Sequence, residues 1–193
     1  MNEIPKGELG RKAIHYASSL IPLIYYFYID KDMAVWILIV ISAFLLIAEF
    51  SRKFIPFFRS LYIKLFGDMT RPHEHKNHLT GATYVSLGSL LVIYLFPKEI
   101  AVVALFFLMV GDPTACLVGM SFGKIKIMRD KTLEGALAFV LASLVVTWWI
   151  PTVPFSVKLI GACVASLLEL IPWKLDDNLT IPSLSALFMY YML

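Results

Sequence analysis

Residues 100 to 124 read IAVVALFFLMVGDPTACLVGMSFGK, and up to Gly123 they carry a single charge, Asp112. An apolar run of this length reads as a membrane span. An acid inside such a run is expensive and marks a functional group held at membrane depth. Pro113 removes a backbone donor two-thirds of the way along, so the helix is expected to break there and to turn Asp112 toward a wet pocket.

The rest of the chain repeats the pattern. Uncharged runs occupy 13–29, 33–48, 79–97, 135–157 and 178–193, and the run 159–173 holds only Glu169. Of 193 residues 59% are hydrophobic and 16% charged, with a mean hydropathy of +0.77. An ordinary soluble domain is about 45–50% apolar and about 25% charged, so a soluble globular class is excluded. The expectation is an all-α, polytopic membrane protein of about seven helices, near 13–29, 33–50, 80–96, 100–121, 135–150, 157–172 and 180–193. Seven such helices leave room for one integral-membrane catalytic domain, residues 1–193, whose chemistry is built from helix ends and the loops at 51–80, 121–134 and 173–180. The first run follows Arg11 and Lys12 as a secretory signal would, but Pro22, the lack of a small-residue cleavage pattern and the six later runs make it span one.

Lysine and arginine set the orientation. With the N-terminus in the cytoplasm, fourteen of the seventeen basic residues fall inside and only Lys31, Lys98 and Lys158 outside, as the positive-inside rule requires. His15, Glu49, Asp112 and Glu169 then all lie toward the cytoplasmic ends of their spans, converging on one polar pocket. Between Ser51 and Thr80, Phe54, Phe57, Phe58, Leu61, Tyr62 and Leu65 recur at helical spacing among Arg52, Lys53, Arg59 and Lys64, which reads as an amphipathic helix in the interface. The net charge of +3 gives no reason to expect nucleic acid. Cys116 and Cys163 lie in apolar stretches and read as packing residues.

Several polar groups admit two readings. Gly119 and Gly123, four apart on one helical face, would make room for a ligand phosphate or for a neighbouring helix. Lys124, Lys126, Arg129 and Lys131 are either a topology signal or, ahead of Thr132 and a helix starting near Leu133, a phosphate-binding loop. Asp112 and Glu134 beside that loop could hold Mg²⁺ against a polyphosphate. Asp176, Asp177 and Asn178 precede the last span, which Asn178 or Thr180 would cap; the aspartates offer a second metal ligand or a base. Glu8, Arg11, Lys12 and His15 share a helical face. His73, Glu74, His75 and His78 lack the cysteines of a transition-metal site and read better as contacts to a headgroup or a nucleotide phosphate.

GDPTACLVGMSFGK at 111–124, KTLEG at 131–135, DDNLTIP at 176–182 and E-x-x-R-K-x-x-H from Glu8 to His15 together resemble the CTP-dependent lipid kinases, which include dolichol, phytol and CTP-dependent diacylglycerol kinases. The likeness to phosphatidate cytidylyltransferases is more distant. The resemblance spans essentially the whole chain, which is shorter than the eukaryotic dolichol kinases and so looks like a minimal core. It implies transfer of the terminal phosphate of CTP to the hydroxyl of a membrane lipid alcohol, with Mg²⁺, at the cytoplasmic face. It further implies Asp112 as principal metal ligand, Glu134 as support for metal or loop, and Asp177 as second ligand or hydroxyl-orienting base. Gly119 to Lys131, including Gly123 and Lys124, would cradle the phosphates, joined by Thr132, Gly135, Arg11, Lys12 and Asn178, with His15 and Lys131 counted among the catalytic groups. Pro113 departs from the small or hydroxylated residue that many relatives carry after Gly-Asp. Other readings of the same residues are a cytidylyltransferase and an ion-coupled transporter.

Overall fold

The computed structural model describes residues 6–67, 79–128, 131–172 and 175–193. The tract His73–His78, with Arg71 and Lys76, and also Arg129 lie outside the described residues, so the reading of the histidines as headgroup contacts stands as an expectation. Ten α-helices are described: α1 (Lys6–Ser18), α2 (Leu20–Tyr28), α3 (Lys31–Phe54), α4 (Pro56–Phe66), α5 (Gly81–Leu95), α6 (Lys98–Phe106), α7 (Asp112–Phe122), α8 (Leu133–Thr147), α9 (Phe155–Leu170) and α10 (Asp177–Tyr191). Each of the seven apolar runs coincides with one helix or one helix pair. By length and composition, α3 and the continuous run Lys98–Phe122 could each cross a membrane, and α5 and α8 are shorter apolar helices.

Two prolines explain where the helices depart from simple rods. The first run is two helices, interrupted at Ser19, whose N–H donates to the Tyr16 carbonyl at 3.1 Å in a tightened turn. Pro22 has no N–H for the carbonyl four residues before it, so the ladder gives way there. At Pro113 the expected break does not occur. A π-helical turn, Phe107–Gly111, joins α6 to α7, and the Asp112 N–H donates to the Phe107 carbonyl, five residues back. The register shift absorbs the missing donor. Thr114 Oγ1 donates to the Val110 carbonyl at 2.6 Å, satisfying another exposed acceptor.

The run α6–π–α7 is the central strut. In its most apolar window 78% of residues are buried inside the protein, against 22% for α3. Apolar all round, it is enclosed by α2, α5, α8, α9, α10 and α1. Leu105, Phe107, Leu108 and Met109 of the strut are fully buried, as are Val92, Ile93, Phe139, Ile181 and Met189 around it. Peripheral α3 packs on α4 and α5, with Ser42 Oγ and Ser86 Oγ 2.8 Å apart at the crossing, while its other faces, including Trp36, Val40 and Phe44, are exposed.

The three lysines expected on the outer side share one task. Lys31 donates to the Phe96 carbonyl at 3.1 Å and Lys98 to the Ile29 carbonyl at 2.9 Å, so the α2–α3 and α5–α6 turns hold each other; Lys98 also lies over the Tyr25 ring. Lys158, buried, donates to the carbonyls of Thr147 and Ile150 at 3.1 and 2.9 Å. Carbonyls at a helix C-terminus lack intrahelical donors and carry negative partial charge, which is what an ammonium group satisfies.

Candidate active site

The opposite end of the bundle gathers the ionisable groups. The three carboxylates embedded in apolar runs each meet a cation. Lys12 Nζ of α1 donates to Asp112 Oδ2 at 2.6 Å, both residues being buried, at 4% and 7% exposure. Arg52 Nε donates to Glu49 Oε2 at 2.5 Å one helical turn away. Lys131 reaches across to Glu169 of α9 in a direct ion pair. Ionised groups withdrawn from water persist when paired and hydrogen-bonded. Glu49 also accepts from Thr80 N at 2.8 Å and Thr83 Oγ1 at 3.2 Å, which ties α3 to the start of α5. Arg52 lies 4.5 Å from the Tyr62 ring centroid and so holds α4 against α3.

Asp112 is the centre of this end. The π turn and Pro113 set it at the first position of α7, and α1 lies across it, bringing Lys12 and, with Nδ1 3.8 Å from Asp112 Oδ2, His15. The neighbouring Tyr16 hydroxyl is 2.8 Å from Thr114 Oγ1. Arg11 turns to Glu8 at 2.6 Å. All of these except Glu8, Tyr16 and Thr114 line one cavity of about 980 Å³, together with Glu49, Arg52, Asp176, Asp177 and Asn178. The structure therefore brings Arg11, Lys12, His15, Asp112, Asp177 and Asn178 around one space.

It arranges the basic loop differently. Two short strands, β1 (Lys126–Met128) and β2 (Lys131–Thr132), pair antiparallel, with Lys126 opposite Thr132 and an irregular register between Lys126 and Met128. Thr132 Oγ1 accepts from Gly135 N at 3.2 Å and caps α8. Around that threonine the glycines close up. A Cβ at Gly123 would stand 2.3 Å from the Gly119 carbonyl oxygen and 2.5 Å from Thr132 Cγ2, one at Gly135 2.8 Å from the Ala115 carbonyl oxygen, and one at Gly119 3.0 Å from Thr132 Oγ1. Of the two readings of Gly119 and Gly123, the packing one accounts for these distances: α7 and α8 touch through the glycines.

Glu134 faces the paired strands. Either carboxylate oxygen accepts from Ile125 N at 3.3 Å. Hydrogen bonds from its own N–H hold this carboxyl below its ordinary range, partly opposed by desolvation and reinforced by the N–H groups of Lys124 and Ile125 and by the Lys124 charge. Glu134 does not line the cavity, nor do Gly119, Gly123, Lys124, Thr132 and Gly135. Burial pushes the Lys131 ammonium below the usual lysine range, with Asp112 and Asp177 pulling it back up, which places it within electrostatic reach of both acids. Among the described residues no three His, Cys, Asp or Glu side chains form a metal-binding group; Asp112, Glu134 and Asp177 are thus not gathered as a three-carboxylate set.

The last loop corrects one expectation. Asp176, not Asn178 or Thr180, caps α10: its backbone is extended, its carboxylate accepts from Asn178 N at 3.0 Å, and its carbonyl accepts from Thr180 N at 3.1 Å. The helix starts at Asp177 and so presents Asp177 and Asn178 in its first turn. The sequence reading gave no partners to Glu49, Glu169 or Lys158; the available signal was that an ion in an apolar run needs a counterpart.

No family model and no solved structure matches the chain. Curated proteins do. It is 29% identical over 96% of its length to the CTP-dependent diacylglycerol kinase 1 of Saccharomyces cerevisiae, of which it covers 73%. It is 34% identical over 72% of its length to the protein of the same name from Schizosaccharomyces pombe, covering 71% of it, and 30% identical over 97% to that of Eremothecium gossypii, covering 68%. At 30% and 34% identity, with about two-thirds or more of each relative covered, the chain belongs to the CTP-dependent lipid kinase family.

Proposed function

We propose that the protein is an integral membrane kinase of seven spans, N-terminus in the cytoplasm, that moves the terminal phosphate of CTP onto the hydroxyl of a membrane lipid alcohol. Diacylglycerol is the acceptor that the relatives' names favour; a polyprenol or a phytol-like alcohol is the alternative. The observation that carries the reading is Asp112 at the head of the shared cavity, beside Lys12 and His15 and in one lining with Asp177 and Asn178. The orientation rests on charge. The end bearing these groups also receives Arg11, Lys12, Arg52, Lys124, Lys126 and Lys131, which belongs on the cytoplasmic side, where nucleotides are.

In the reaction the acceptor oxygen bonds to the γ-phosphorus as the bond to the β–γ bridging oxygen breaks, CDP leaves, and the hydroxyl proton passes to a base. Positioning and charge neutralisation do most of this work. Asp177 or His15 would take the proton, since both stand in the cavity wall. Lys131 and Lys12 would offset charge on the transferred group. Asp112 and Asp177 would hold a Mg²⁺ brought with the nucleotide, since one or two carboxylates suffice for that ion, and it would supply charge neutralisation on the triphosphate.

The test is turnover with CTP labelled at the γ or the α phosphate, and with γ-labelled ATP, over diacylglycerol, polyprenol and phytol. Label from γ-CTP in the lipid extract is expected. Label from the α position would make the protein a cytidylyltransferase, and no nucleotide turnover would favour a transporter.

A further inference from the structure

The cavity that holds Asp112 continues far beyond it. Helices α1 and α2 pack on the central strut, and α3 on α4 and α5, but α1–α2 and α3 make no extended contact with each other. The space between them is walled by Ile21 and Ile24 of α2 and by Leu38, Ile41, Phe44 and Leu45 of α3. Along α3 the apolar wall runs from Ala34 to Ala48, about 21 Å at 1.5 Å per residue. One leaflet of hydrocarbon is about 15 Å deep. The groove is therefore polar at one end only and apolar over a leaflet's depth, and Ile37 and Ile41 on its wall remain partly exposed.

Its polar end is balanced in charge. The cations are Arg11, Lys12 and Arg52, and each is engaged by a carboxylate: Glu8, Asp112 and Glu49. Asp176 and Asp177 add negative charge to the same lining. An acceptor hydroxyl can donate to those carboxylates, whereas the apolar length beyond them offers nothing to a charged group.

We propose that the groove between α1–α2 and α3 is the acceptor site and takes an uncharged long-chain lipid alcohol of the diacylglycerol type, its tails along α3 and its hydroxyl at the Lys12–Asp112 pair. This assignment rests on the kinase reading above and adds the location of the acceptor.

Ile41→Trp narrows the groove, whereas Val40→Trp places the same bulk on the exposed side of α3 that does not line it. With long-chain diacylglycerol, Ile41→Trp should raise KM about tenfold, equivalent to about 1.4 kcal/mol or the burial of about two methylenes. Its kcat, its KM for CTP and its KM for dihexanoylglycerol should stay within about twofold of the unsubstituted protein, and Val40→Trp should match the unsubstituted protein throughout. A diacylglycerol with a photoreactive tail should label Ile37 and Ile41 in preference to Trp36 and Val40. Equal KM changes for the two tryptophan variants, or labelling spread evenly around α3, would each overturn the assignment. If the protein phosphorylates no lipid alcohol from CTP, the kinase reading fails, and the photolabelling pattern still decides where the lipid lies.

Discussion

Lys12→Met separates the structural from the chemical role of the central ion pair. At 2.6 Å and an effective dielectric of about 20, the attraction between Lys12 and Asp112 is worth about 6 kcal/mol before desolvation is subtracted. Removing one member of a buried pair typically costs about 3–5 kcal/mol, because the other is left charged and uncompensated. For a chain of this size that is a fall in Tm on the order of 10 °C. Asp112→Asn also breaks the pair, and Lys12→Met/Asp112→Asn removes both charges, so the double variant should be less destabilised than the sum of the singles by at least about 2 kcal/mol. Thermal unfolding in detergent measures the four-membered cycle, and γ-labelled CTP turnover is measured on the same preparations. Stability should be substantially restored in the double variant and turnover should not. Additive losses in Tm would refute the buried pairing, and a turning-over Asp112→Asn protein would refute the role given to Asp112.

Gly123→Ala should destabilise by about 1–3 kcal/mol through overpacking against backbone and Thr132, and Gly119→Ala, whose nearest neighbour would be a side-chain oxygen at 3.0 Å, by less; denaturation of the two variants side by side reads the difference. Lys158→Met should lower stability by about 1.5–3 kcal/mol through two lost carbonyl contacts, and should leave CTP turnover intact because Lys158 lies at the end of the bundle remote from Asp112. Glu134 contributes through pH. Its folded carboxyl titrates below its ordinary value of 4.5, so its contribution is complete above that pH and lost as pH falls through the folded value. An acid unfolding series should therefore be shallower for Glu134→Gln, and identical slopes would remove the carboxylate's role at the paired strands.

The helices were legible because an apolar run is a local property of the chain, and even the division of the first run follows from Pro22. What surrounds Pro113 was not, since a π turn and a break both answer a missing N–H, and only the packing of α8 and α9 around the strut selects the continuous path. The pairing of β1 with β2 escaped notice because strands of three and two residues carry no alternation to read. In the site, Asp112 and the N- and C-terminal motifs were legible as residue types, but the partners of Asp112 and Glu169 are 100 and 38 residues away in sequence. Lys12 in particular reads as a topology residue until α1 is laid across the strut. Thr132 illustrates the converse: its capping position was readable locally, while the closeness of Gly119, Gly123 and Gly135 around it depends on how α7 and α8 cross.

The reciprocal hold of Lys31 on the Phe96 carbonyl and Lys98 on the Ile29 carbonyl makes the far end of the groove a shut jaw. A lipid lying between α1–α2 and α3 would on this reading meet a closed turn at its tail end and present its hydroxyl at Lys12 and Asp112. In the proposed reaction the product gains two negative charges at that hydroxyl and would back out the way it came. On that reading the lipid would enter and leave at one face, and its conversion would not carry it across the bilayer.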